Sequence, residues 1–191
     1  MIIPAWDSMG ILPPVRPGAL GNSPDRSPYP VDLVAMVDRF ATSSERKTIL
    51  DGFLRLRRDL HQAGIVSGFQ WVNGSFLEDV ETREDRPPRD VDIVTFYNLP
   101  SGKSQKSLVE QNKALFNHER LKTDYNVDAY FTELGQFINQ TNVKLITYWY
   151  SMWSHRRDGM WKGFLQVDLN PINDAAARSQ LDNFHEGVCH E

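Results

Sequence analysis

Between residues 69 and 97 the chain runs from Phe69-Gln70-Trp71-Val72, through Gly74-Ser75 and a polar excursion, into Asp90-Val91-Asp92-Ile93-Val94-Thr95-Phe96-Tyr97. Stretches this rich in β-branched and aromatic residues read as strands, here 69–72 and 91–97, with a glycine turn closing the first. Side chains alternate across a strand, so Asp90 and Asp92 project from one face while Val91 and Ile93 belong to the apolar other face. Two strand repeats place the carboxylates within roughly 7 Å of each other. Acids that close raise one another's pKa, and an uncompensated pair at the head of a buried strand is costly. A bound divalent cation removes that cost.

The rest of the chain sets these strands among helices. A short helix is expected over 31–40. Thr42-Ser43-Ser44-Glu45 reads as a capping box that starts a long helix, with Thr42 and Glu45 satisfying backbone donors reciprocally. Its apolar residues Ile49, Phe53, Leu56, Leu60 and Ala63 recur every three or four positions, and Gly64 stands where a left-handed cap would end it. Arg55, Arg57 and Arg58 are expected on its other faces. Then follow a polar helix within 106–122, a strand at 127–131, a long aromatic-rich helix over 134–154, a turn at Asp158-Gly159, a strand at 164–169 and a last helix opened by Pro171. The pattern predicts an α/β chain with a mixed sheet, a small central sheet flanked by helices.

Seven of the eleven prolines fall in the first thirty residues. Each fixes φ and removes a donor, so 1–30 is expected to be an extended arm, packed on the body through Ile11, Leu12 and Tyr29 or offered to a partner groove. The body is expected over 31–186 as a single domain, with a tail at 187–191. A chain of this length buries roughly 70% of its unfolded surface, enough for its own core.

The formal net charge of −4 and pI near 5.7 exclude a protein that holds nucleic acid chiefly by a general basic surface. No stretch is apolar for long enough to span a bilayer, and the first residues lack the pattern of a secretion signal, so no membrane partner and a cytoplasmic location are expected. The single cysteine, Cys189, agrees with a reducing compartment.

Asn126-Val127-Asp128-Ala129-Tyr130-Phe131 carries one acid amid β-favouring residues. If this strand lies beside 91–97, Asp128 joins the pair, and three carboxylates on neighbouring strands suit two magnesium ions, or manganese in their place, about 4 Å apart. Gly74 allows a tight turn with close backbone approach, and Ser75 offers a hydroxyl and an amide at an expected helix start, where anions bind.

A strand ending in Gly-Ser, Asp-x-Asp on the next strand and a single Asp on a third resembles the signature of the nucleotidyltransferase superfamily, which includes DNA polymerase beta and minimal bacterial nucleotidyltransferases. The resemblance covers roughly 70–131. The arm with GILPP and RSPYP and the blocks FQWVNGSF, RPPRDVDIVTF and HRRDGMWKGF also resemble an uncharacterised bacterial family associated with the same fold. The resemblance implies an enzyme that transfers a nucleoside monophosphate from a nucleoside triphosphate such as ATP to a hydroxyl, releasing pyrophosphate, with Asp90, Asp92 and Asp128 as catalytic metal ligands and Gly74 and Ser75 at the phosphates. It leaves the acceptor open among a partner protein, RNA and a small molecule, in settings that include toxin-antitoxin pairs and phage defence. Fourteen residues separate Ser75 from Asp90, more than in the compact form of the motif.

Arg157 and Lys162, after the aromatic helix, are the cations expected at the triphosphate or an acceptor backbone, the alternative being a solvated turn. Trp149, Tyr150, Trp153 and Trp161 suit either a core face or a base platform. His185, Cys189 and His190 sit too near a chain end to be assigned as zinc ligands. Two rivals stand beside the transferase. A metal-dependent nuclease also needs acids on adjacent strands, but Ala129-Tyr130 follows Asp128 where a lysine is often found. A catalytically silent protein-binding module or antitoxin is the other, disfavoured by the presence of all three acids.

Overall fold

The computed structural model describes residues 2–135 and 139–184. Its sheet has five strands: β1 (Tyr29–Val31), β2 (Gly68–Asn73), β3 (Val91–Tyr97), β4 (Val127–Glu133) and β5 (Leu165–Asp168), in the order β1-β5-β2-β3-β4. The β2 strand lies antiparallel to both β3 and β5, while β3–β4 and β1–β5 are parallel. The fold is therefore a mixed α/β one, and the strand expected at 91–97 is β3 to the residue.

The helices among the described residues are α1 (Leu33–Phe40), α2 (Ser44–Gln62), α3 (Val80–Glu84), α4 (Gln105–Gln111), α5 (His118–Tyr125), α6 (Gln140–Trp153) and α7 (Asp174–Asp182). The cap of α2 is Ser43 rather than Thr42: the Ser43 hydroxyl accepts from the Arg46 amide at 3.3 Å, so the helix starts one residue later than the capping-box reading. Its far end is as read, with Gly64 at φ +91 and the Ile65 amide donating to the Leu60 carbonyl. The single polar helix expected within 106–122 is broken in two, because Asn112 ends α4 and Asn117 caps α5. Pro171 opens a 3-10 turn that leads into α7. Part of the helix expected over 134–154 falls on 136–138, outside the described residues.

Two arginines of α2 overturn its simple amphipathic reading. Arg57 is fully buried, bonded to Asp174 on α7 at 2.7 Å and to Gln70 on β2 at 2.7 Å, and Gln70 in turn donates to Thr95 on β3. Arg46 is also fully buried and donates to the Phe76 and Glu78 carbonyls, both at 2.6 Å, and to Glu81. Every guanidinium nitrogen so placed has an acceptor, which is what makes a buried guanidinium tolerable.

These contacts also assign the faces of the sheet. Gln70 and Thr95 point to α2, which has α5 and α7 packed beside it. By alternation Trp71 and Asn73 point the other way, and there Trp71 meets Tyr150 of α6 with ring centroids 6.4 Å apart.

The N-terminal arm lies along the body, with Ile11, Leu12 and Tyr29 all buried. Its end is not merely packed: Tyr29–Val31 is a strand of the sheet, and the helix expected from 31 starts at Leu33 behind an Asp32 cap. Gly10 accepts from the Asp79 amide, and Leu12 accepts from the Gly163 amide. The Trp6 indole donates to the Leu77 carbonyl. The arm thus ties the segment after Gly74-Ser75 to the one before β5. No helix among the described residues is long and apolar enough to cross a membrane.

Candidate active site

The β3–β4 ladder pairs Asp92 with Asp128 in register, and β2 pairs Asn73 with Asp92 across the antiparallel side. Registered neighbours project from the same face, so Asp92 and Asp128 share the α6 side of the sheet, with Asp90 one alternation before Asp92. The three acids expected to converge are brought to one end of neighbouring strands.

Asp92 feels that convergence. Its pKa is pushed up to about 6, first by burial and then by the negative charges of Asp90 and Asp128, against the opposing pull of Lys162 and Lys122. Gly74 is the reason its carboxyl fits. With φ +88 and ψ −175, Gly74 occupies backbone space open essentially to glycine alone, and a Cβ there would stand 3.0 Å from both Cγ and Oδ2 of Asp92. The close approach expected of Gly74 is thus made to an acid of the site.

Ser75 opens only a single 3-10 turn, Ser75–Leu77, too short to present the dipole of a helix start, and its hydroxyl bonds to no described residue. The long excursion to Asp90 is filled by this turn and by α3, which Arg46 holds to α2 through Glu81.

The two expected cations part company. Lys162 is buried, with its ammonium 2.5 Å from Glu78 Oε1, and it reaches Asp92 as a field rather than as a contact. Arg156 joins Glu78 at 3.3 Å and Glu84 at 3.4 Å. Arg157 is exposed and forms no ion pair with a described residue.

The sequence reading missed Lys122. From α5 its ammonium stands 2.9 Å from Asp90 Oδ2 and 3.3 Å from Asp128 Oδ2, bridging the two acids, and the Asp90 hydrogen bond is the first cause of its raised pKa. Asn126, in the left-handed conformation at φ 55, turns the chain from α5 into β4 and so returns Lys122 to the strand it precedes. No spacing rule links a helical lysine to an acid six residues on. His118, also on α5, lies 3.5 Å from Asp128 Oδ1.

Of the aromatic residues, Trp153 is buried, and Trp149 and Tyr150 pack against the core, as a core face requires. Trp149 lies 4.6 Å from the ring of Tyr130, two residues beyond Asp128, and Trp161 remains half exposed, stacked on His155. His185, Cys189 and His190 lie outside the described residues.

The donor set suits a hard divalent ion, being all carboxylate, and two buried oxygens at the site, Asn73 Oδ1 and Asp128 Oδ1, accept no hydrogen bond among the described residues. As the side chains stand, with Lys122 between two of the acids, no three His, Cys, Asp or Glu residues among those described are spaced to ligate a metal. The acids therefore offer oxygen donors of the right chemistry but do not stand at ligating spacing.

A family model described as Family of unknown function (DUF6932) matches residues 4–168. No curated protein matches the chain, and no solved structure does.

Proposed function

The chain belongs to that family of unknown function, so its activity is read from its own site, and we propose that it is a metal-dependent nucleotidyltransferase. It transfers a nucleoside monophosphate from a nucleoside triphosphate to a hydroxyl of a protein, an RNA or a small molecule, in the cytoplasm. The observation that carries the reading is the register pairing of Asp92 with Asp128 on parallel strands, with Gly74 backed against Asp92.

Asp90, Asp92 and Asp128 would hold the magnesium ions, or manganese in their place. When bound, such ions neutralise triphosphate charge and lower the pKa of the acceptor hydroxyl. Asp90 and Asp92 position the triphosphate beside the Gly74 turn, where the Ser75 hydroxyl has no described partner and is available to a phosphate oxygen. Asp128 serves the acceptor side, next to the aromatic surface of Tyr130 and Trp149. The acceptor hydroxyl gives up its proton to solvent as its oxygen bonds to the α-phosphorus, the bond from that phosphorus to its bridging oxygen breaks, and pyrophosphate leaves. Lys162 offsets part of the negative field at Asp92 while staying fixed to Glu78. Most of the acceleration then comes from alignment and charge neutralisation.

Incubation with labelled nucleoside triphosphates and magnesium, over a panel of protein, RNA and small-molecule acceptors, tests the reading. Metal-dependent label transfer supports it, and no transfer to any acceptor class, with none of the triphosphates bound, rejects it.

Lys122 favours a second reading, a metal-dependent nuclease, because it supplies beside two acids the lysine that the residues after Asp128 lack. Cleavage of DNA or RNA without any triphosphate would select that alternative. It leaves the Gly74 contact with Asp92 unexplained, which places it second.

A further inference from the structure

We propose that the Lys122 ammonium is the resident counter-cation of this site, standing between Asp90 and Asp128 where it would compete with a divalent ion for the same acids, so that ion entry and Lys122 departure are one exchange. The inference rests on the reading of the three acids as ion ligands.

Two cations lie near these acids, and they are built differently. Lys162 is 7% exposed at its side chain and bound to Glu78, itself 9% exposed, so its removal would strand a buried charge. Lys122 is 52% exposed at its side chain and reaches the acids from a helix surface. Lysine is a compact charge on a flexible stem, and this one can swing into water without leaving an unpaired group of its own. The acids it leaves are the ones an incoming ion compensates. An ammonium 2.9 Å from one carboxylate oxygen and 3.3 Å from another competes with any ion for those same oxygens, because two cations sharing them would stand close enough to repel strongly. Lys122 therefore keeps the acids folded together when free ion is scarce and raises the ion concentration needed to load the site.

Titration calorimetry of the full chain with Mn2+ as the probe tests the exchange. Lys122→Met is expected to bind Mn2+ about tenfold more tightly than the unsubstituted chain, a modest gain for removing one competing charge at a half-exposed position. Lys122→Gln, which is also uncharged but polar, is expected to show the same tightening. Lys106→Met, which removes an exposed charge on α4, is expected to change nothing.

Melting temperature supplies a second readout. Without divalent ion, Lys122→Met should melt below the unsubstituted chain, and saturating Mn2+ should close the gap; a purely structural lysine would leave the gap in place. Equal or weaker Mn2+ binding by both Lys122 variants would overturn the exchange while leaving the ion site standing. Failure of the chain and of both Lys122 variants to bind Mn2+, or undiminished binding by Asp92→Asn, would reject the ion site itself and the exchange with it.

Discussion

Glu78 and Lys162 meet 2.5 Å apart with both side chains buried, and that ion pair fixes the segment after the Gly74-Ser75 turn to the segment that enters β5. It also decides which cation beside the acids is immobile. Arg156 supports Glu78 from the outside at 3.3 Å, and the N-terminal arm binds the same two segments through Gly10 and Leu12.

Lys162→Met should therefore cost about 3 kcal/mol of stability, since it leaves the Glu78 carboxylate buried with only Arg156 to balance it. The double variant Lys162→Met, Glu78→Gln should recover part of the loss. Urea unfolding of the three proteins measures this, and a single-variant loss below about 1 kcal/mol would show that the pair is not what holds the segments.

Asp92 ties stability to pH in the direction opposite to a salt-bridged acid. Its folded pKa of about 6 lies above the ordinary 3.8, so the unfolded chain gives up this proton first as pH rises, and the native state loses stability from about pH 4 until about pH 6. In metal-free buffer, Asp92→Asn should be more stable than the unsubstituted chain by on the order of 2 kcal/mol above pH 7, with the advantage shrinking to nothing near pH 4. Denaturant midpoints at the two pH values decide it. An advantage of the same size at both would mean that the charge of Asp92 is not its source.

Gly74→Ala should damage both fold and site. The backbone at φ +88 and ψ −175 is strained for any side chain, and the new Cβ would press on the Asp92 carboxyl at 3.0 Å. A stability loss of about 2 kcal/mol is expected, with Mn2+ binding weakened in the fraction that folds. Thermal unfolding and Mn2+ titration of the same sample separate the two effects. Ion affinity equal to that of the unsubstituted chain would show that Asp92 is not positioned by this contact.

If Asp128 serves the acceptor side, Asp128→Asn should lower turnover by about a hundredfold while leaving triphosphate affinity within a few fold. Calorimetry with a non-hydrolysable triphosphate and magnesium reports the affinity, and label transfer reports the rate. Lost binding with a spared residual rate would reverse the division of roles among the acids.

Local chemistry was legible in the residues, and long-range pairing was not. Its β-branched and aromatic residues marked the bounds of β3, alternation its acidic face, and Gly64 the end of α2, because these signals depend on steric preferences of adjacent residues. The strand β1 was hidden. Tyr29-Pro30-Val31 is short and contains a proline, and it becomes a strand only by lying parallel to β5, whose partner residues begin at Leu165. Arg57 read as a surface residue for the same reason, since the acceptors that permit its burial come from Gln70 and Asp174.

At the site the division is equally clear. The sequence by itself determined that Asp92 sits on a strand face, with Asp90 directly before that strand, and that Asp128 sits on another strand, since a period of two is a property of extended backbone. Only the tertiary structure decided that β3 and β4 are register neighbours, that Lys162 is committed to Glu78, and that Lys122 stands between Asp90 and Asp128. Charge balance around buried acids is set by distance in space, and the turn at Asn126 and the crossing of the chain create those distances.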